Sequence, residues 1–235
     1  MPVVGLTNTV HGKVIAISGG GAVSAALMED HTLMAWGNNE YGAVGNGTTS
    51  TTGQWTPVEV SQSTGLTNVK AIATGWDHMV ALAEDGTVWT WGANPYGQLG
   101  NGTKGYANSS NVPIHIGDVL SNVVGVSAGD GSTAVLTADG TVWAWGALRT
   151  GDACCVLHDY GPTPIQVAGI DHVTLVRARD WHVLALKADG TVWAWGWNLK
   201  GQIGDGTVGG DKTTPVRVLF PDFLTQSLFL PIIRR

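Results

Sequence analysis

Apolar and polar residues alternate in short bursts along this chain, and the bursts recur. DGTVWTWG at 85–92, DGTVWAWG at 139–146 and DGTVWAWG at 189–196 are nearly one word. DHTLMAWG at 30–37 repeats it with His31 in place of Gly and Met34 in place of Trp. The closing residues Gly37, Gly92, Gly146 and Gly196 stand 55, 54 and 50 residues apart. Within TVWAWG the period is two, so Val142, Ala144 and Gly146 point to one side of a strand and Trp143 and Trp145 to the other. Upstream, VIAISGG, VKAIATG, VVGVSAG and VTLVRAR are each followed by a second apolar stretch (SAALME, MVALAE, TAVLTA, VLALKA). Downstream come YGAVGNGT, YGQLGNGT or GQIGDGT, then a Pro-led run such as TPVEV or TPVRV. The Asp-Gly pairs at 85–86, 139–140 and 189–190 sit between alternating runs, which predicts two-residue type I′ hairpins.

Each repeat therefore reads as several antiparallel strands, and four repeats are present. Two tryptophans on one face of a strand suit a sheet pressed against its neighbour. The small residues opposite them, Ala144, Ala194 and Thr90, let the next sheet approach. Four sheets that bury their faces against one another predict an all-β fold, a β-propeller in the form of a partial or small ring. The repeats occupy residues 1–218. Residues 219–235 form an apolar tail that holds all three phenylalanines, Phe220, Phe223 and Phe229. The tail is expected to cover an exposed blade, its own or that of a second copy, since open propellers leave apolar faces and strand edges bare.

Composition narrows the function. Only 13% of the 235 residues are charged, and the net charge of −6 becomes −8 once the terminal Arg234 and Arg235 are set aside. An acidic body repels phosphate backbones, so nucleic acid is not expected as a partner. No stretch approaches the roughly 18 apolar residues of a membrane span, and the N-terminus lacks a secretory pattern, so the chain reads as soluble, cytoplasmic or already processed. Cys154 and Cys155 are adjacent and have no second pair. With His158 and Asp159 they make a weak metal candidate, and a variable loop is the preferred reading of 147–164. SGGGA at 18–22 lacks the Lys-Ser or Lys-Thr of a phosphate loop, and no cofactor is expected.

Repeats reveal function where they depart from their own pattern. Aligned on Leu27, Leu82, Leu136 and Leu186, the turns before the second strand read GGAVS, GWDHM, GDGST and RDWHV. Trp76, Asp77, His78, Arg179, Trp181 and His182 are the candidate binding residues, because tryptophan at an exposed turn suits an interface. Tyr41, Tyr96 and Trp197, on the loops after the third strand, form a second candidate face. The alternative is a hydrolase in which Ser132 is activated by His78 or His182 with Asp130 as the orienting acid, provided that these groups converge.

The order of a Gly-x-x-His-type turn, A-L-x-x-D-G-x-V-W-x-W-G and N-x-x-G-Q-L-G resembles the repeat of the regulator of chromosome condensation (RCC1-like) family over about residues 10–218. The resemblance implies a propeller, typically of seven blades, so four repeats are a departure. It also implies protein recognition. One member exchanges guanine nucleotide on a small GTPase at chromatin, and a bacterial relative inhibits β-lactamases through aromatic-rich blade loops. The acidic charge disfavours the chromatin role here, and the turn tryptophans suit the second mode. The partner expected is therefore another protein, with self-association through 219–235 as a further possibility.

Overall fold

The computed structural model describes residues 10–117, 119–149 and 157–220. Blade one contains β1 (Val14–Gly19), β2 (Val23–Met28), β3 (Leu33–Asn39) and β4 (Ser50–Glu59). Blade two contains β5 (Val69–Thr74), β6 (His78–Ala83), β7 (Val88–Gly92) and β8 (Ser110–His115). Blade three contains β9 (Val123–Ala128), β10 (Ser132–Thr137), β11 (Val142–Arg149) and β12 (Leu157–Gln166). Blade four contains β13 (Val173–Arg179), β14 (His182–Lys187), β15 (Val192–Gly196) and β16 (Lys212–Arg217). In every blade the strands lie side by side in chain order, all antiparallel. The first strands of successive blades adjoin, β1 with β5, β5 with β9 and β9 with β13, so they line a common axis.

The hairpins differ from the type I′ expectation. Gly86, Gly140 and Gly190 have φ of 86°, 83° and 81°, but Asp85, Asp139 and Asp189 do not take positive φ. Ala83 N–H donates to the Thr87 carbonyl at 3.0 Å and Gly86 N–H to the Ala83 carbonyl at 3.0 Å, which closes a three-residue loop. This is a type I turn followed by one left-handed residue, a geometry that also matches strand twist. The aspartate acts as a side-chain acceptor: Asp85 Oδ1 receives the Thr87 N–H at 2.9 Å and its hydroxyl at 2.7 Å. In blade one His31 takes the left-handed position itself (φ 68°) and donates from Nδ1 to the Val69 carbonyl of blade two, 3.0 Å away.

Three hydrophobic clusters fill three seams, between blades one and two, two and three, and three and four. Among the described residues no cluster joins blade four to blade one. The tryptophans face the preceding blade as the period-two pattern requires, and Trp91, Trp145 and Trp195 are fully buried. Each indole N–H is also anchored there, to the carbonyl of Ala43 (3.0 Å), the carbonyl of Gln98 (2.8 Å) and the hydroxyl of Tyr160 (2.5 Å). Gly100 is needed beside this anchor, because a Cβ there would lie 2.7 Å from the Trp145 indole nitrogen. Blade three lacks the YGQLG loop, and Tyr160 supplies the missing acceptor for Trp195. The irregular segment thus retains one structural duty. Cys154 and Cys155 lie outside the described residues, and no group of three metal-ligating side chains occurs among those described.

Among the described residues the two end blades leave apolar side chains exposed. Ile17 on β1 is 79% exposed, while Val176 at the equivalent place on β13 is 2% exposed. On the far side of blade four, Leu184 and Leu186 are each 37% exposed, whereas Val80 and Leu82 at the matching places of blade two are fully buried. The expected covering role of the tail falls mostly on residues 221–235, which lie outside the described part. No helix of the described residues is long and apolar enough to cross a membrane.

Candidate functional site

The turns joining the first and second strands of each blade lie together at one end of the axis, tied by backbone hydrogen bonds. Gly21 N–H donates to the Gly75 carbonyl (3.2 Å), Ala22 N–H to the Trp76 carbonyl (3.1 Å), and Asp130 N–H to the Asp180 carbonyl (2.8 Å). Glycines make room for the tryptophans of these turns. A Cβ on Gly21 would lie 2.5 Å from the Trp76 ring, and one on Gly131 would lie 3.0 Å from Trp181 and 2.7 Å from Tyr96. Each turn tryptophan therefore lies over a glycine of the preceding blade and is held in place without being buried. Trp76 remains 52% exposed.

The loops after the third strands share this end. Tyr96 meets Trp181 edge-on, with centroids 5.6 Å apart at 79°. Tyr41 stacks on Tyr106 at 4.5 Å and 29°. Trp76, Asp77, Tyr96, Tyr106, Asp130 and Trp181 line one cavity of about 280 Å³. Of the second candidate face of Tyr41, Tyr96 and Trp197, Tyr96 lines the same cavity as the turn residues, while Tyr41 and Trp197 do not line it. Tyr106 carries no signal in the repeat pattern, because it lies in GTKGYANSS, a segment with no counterpart in the other blades. A second cavity of about 650 Å³ runs between the four first strands, and Trp76 and Asp130 line both. The aromatic cavity is thus at the mouth of the central cleft. Arg179 is exposed and lines the cleft rather than the aromatic cavity.

Two carboxylates of this end, Asp77 and Asp130, are half-buried. Burial raises the pKa of Asp77, opposed by a 2.8 Å hydrogen bond from Asn38 Nδ2 and reinforced by the charge of Glu40. Burial raises Asp130 to about 6, with the charge of Asp180 adding to the shift and that of Arg179 opposing it. Desolvation of this kind disfavours the charged form until a cation arrives.

The histidines lie elsewhere. His78 is fully buried in the seam between blades two and three, out of reach of a partner. Its Nε2 is 3.1 Å from the Thr133 hydroxyl, and that hydroxyl donates its proton to the Gln98 carbonyl at 2.9 Å. Thr133 must therefore accept from His78, which fixes the proton on Nε2 and leaves Nδ1 a buried acceptor without a partner. Burial lowers the His78 pKa to about 3, so the ring is neutral. His182, at the equivalent place on blade four, is only half-buried. Its pKa is lowered by desolvation and raised in part by Asp180.

Ser132 Oγ is buried and has no hydrogen-bond partner. The serine–histidine hydrogen bond on which the hydrolase alternative depends is therefore not formed with either His78 or His182. The seam positions explain this in structural terms. Where a blade presents Val23, His78 or Ser132 at the start of its second strand, the next blade presents Met79, Thr133 or Val183 at the following residue of its own. Only His78 meets a hydroxyl.

Fold and site together define a repeat-built β-propeller with an aromatic and acidic rim at one end. The chain belongs to the regulator of chromosome condensation (RCC1) repeat family. One model of that repeat matches residues 30–82 and 85–136, and a second matches 14–43, 69–98 and 180–202. The probable E3 ubiquitin-protein ligase HERC6 of Homo sapiens is 36% identical over 153 residues, which is 65% of this chain and 14% of the ligase. Human WBSCR16 superposes with a TM-score of 0.79 at 25% identity, over 92% of this chain and 55% of that one. Prp20p of Saccharomyces cerevisiae, whose structure was described together with its binding to Gsp1p and histones, gives 0.74 at 22% identity, over 88% and 51%. The chain thus spans about half the length of these two propellers and a small part of the ligase.

Proposed function

We propose that this chain is a protein-recognition module that engages its partner through the end of the blades carrying Trp76, Asp77, Tyr96, Asp130 and Trp181. The observation that carries this reading is the convergence of exposed (Trp76, Tyr106) and part-buried (Tyr96, Trp181) aromatic rings with half-buried carboxylates on one cavity held by rigid strands. Such anchors, fixed before binding, are what interface hot spots require. The acidic groups disfavour a nucleic-acid partner on electrostatic grounds, and membership of a repeat family with protein-binding members agrees with the reading. His78 and Ser132 belong to the seams and take no part. His182 and Arg179 flank the surface.

The test is site-specific crosslinking. A photoreactive phenylalanine analogue at position 76 is expected to capture a discrete protein partner, while the same analogue at the exposed Trp55 of β4 is not. Trp181→Ala is then expected to weaken binding of that partner by about 2 kcal/mol. Identical crosslinks from positions 76 and 55, or full binding by both Trp76→Ala and Trp181→Ala, would remove the proposal.

A further inference from the structure

We propose that the cavity between the blade-two and blade-four turns receives an arginine side chain from the partner protein. The inference rests on the protein-recognition reading above and adds the chemistry of the contact. Four aromatic side chains, Trp76, Tyr96, Tyr106 and Trp181, line the cavity, and two carboxylates, Asp77 and Asp130, share it. None of its lining residues is basic. The Asp77 carboxylate receives one hydrogen bond, from Asn38, and that of Asp130 accepts none from the side chains of the described residues. The cavity therefore offers ring faces and two carboxylates, with no cationic side chain in its lining to neutralise them.

Three kinds of occupant can be compared. An apolar side chain would cover the rings but strand two desolvated carboxylates. An anion would meet Asp77 and Asp130, with Glu40 and Asp180 nearby, whose charges add to the upward shifts of Asp77 and Asp130 respectively. A cation on an aliphatic stem satisfies both halves of the site, because its stem lies along the rings and its head meets their π-faces and the carboxylates. Among such cations the guanidinium fits best. It is planar, stacks on an aromatic ring, and spreads several N–H donors towards two separate acceptors, where an ammonium is a compact, strongly hydrated point charge. About 280 Å³ accommodates that head and part of its stem.

The experiment uses the full chain and four small probes: N-acetyl-N′-methylamides of arginine, lysine, citrulline and norleucine. Binding is followed by the indole N–H signals of Trp76 and Trp181 in two-dimensional NMR. The arginine probe is expected to bind at least about fivefold more tightly than citrulline, its neutral isostere, and to shift both signals. Its affinity is expected to rise as pH passes upward through 6, where Asp130 ionises beside Asp77, Asp180 and Arg179, and Asp130→Asn is expected to abolish that rise. Equal binding of arginine and citrulline, or no binding of any probe, overturns the proposal. Lysine binding as tight as arginine overturns the guanidinium assignment. A partner crosslinked at position 76 that shows no arginine preference leaves the protein-recognition reading standing and removes only this one. Preferred arginine binding with no crosslinked partner does the reverse.

Discussion

Blades two and four are built from the same repeat, yet they face different surroundings. In blade two every residue of β6 is buried, because blade one covers one face and blade three the other. In blade four, β14 alternates: Val183 and Ala185 are buried against blade three, while Leu184 and Leu186 look outward. The histidine that opens each of these strands follows suit. His78 finds Thr133 on the next blade and stays neutral in the seam, whereas among the described residues no further blade faces His182. The motif fixes which way a side chain points. The neighbour decides what that direction means.

The sharpest way to break this contrast is to remove a seam tryptophan. Trp145→Ala deletes a fully buried ring and its hydrogen bond to Gln98, and is expected to cost about 3–5 kcal/mol in urea unfolding. A loss below about 1 kcal/mol would mean the seam between blades two and three does not hold the fold. A paired measurement comes next. Leu82→Ala is expected to cost about 2–5 kcal/mol, and Leu186→Ala only about 1 kcal/mol. Equal costs would show that something covers the outer face of blade four in solution.

Thr133→Val removes the hydroxyl that accepts from His78 and donates to Gln98, and is expected to cost about 1–3 kcal/mol. The pH dependence follows from the same pair. The folded His78 pKa of about 3 lies below the ordinary value near 6.5, so in that interval the unfolded chain binds a proton that the folded one refuses. Stability is therefore full above about pH 6.5 and falls as pH drops, by about 1.4 kcal/mol per unit from this group. Asp130 acts with the opposite sign between about 6 and 3.8, where the folded state holds the proton, and it partly offsets the loss. His78→Phe, read by thermal melting at pH 7 and 5, is expected to flatten the slope. The smallest effect is Ser132→Ala, expected to be neutral or to stabilise by about 0.5 kcal/mol, since it removes an unpartnered buried hydroxyl. A measurable hydrolysis of activated esters that vanished in this variant would revive the catalytic alternative.

The strand character of each repeat and the side taken by each tryptophan were legible in the sequence, because period-two alternation is a local property repeated four times; that each blade has four strands came from the structure. The hairpin type was not. Asp-Gly is compatible with both a two-residue and a three-residue loop, and the choice was settled by the Asp85 side chain accepting from Thr87. Trp76, Asp77 and Trp181 could be picked out as departures from the repeat. His78 is a departure of the same kind, yet it is a seam residue, and nothing in GWDHM distinguishes an exposed Trp from a buried His two places on. Tyr96 and Tyr106 could not be assigned to the site, since their contacts with other blades cross long stretches of chain.

The sequence by itself thus determined the blade: its strands, its Trp face and its turn residues, all matters of spacing within about fifty residues. Only the tertiary structure decided which faces are seams and which are ends, and which aromatic and acidic side chains meet at the mouth of the central cleft. The physical reason is that burial and desolvation belong to a residue's neighbours. In a propeller those neighbours sit one whole repeat away.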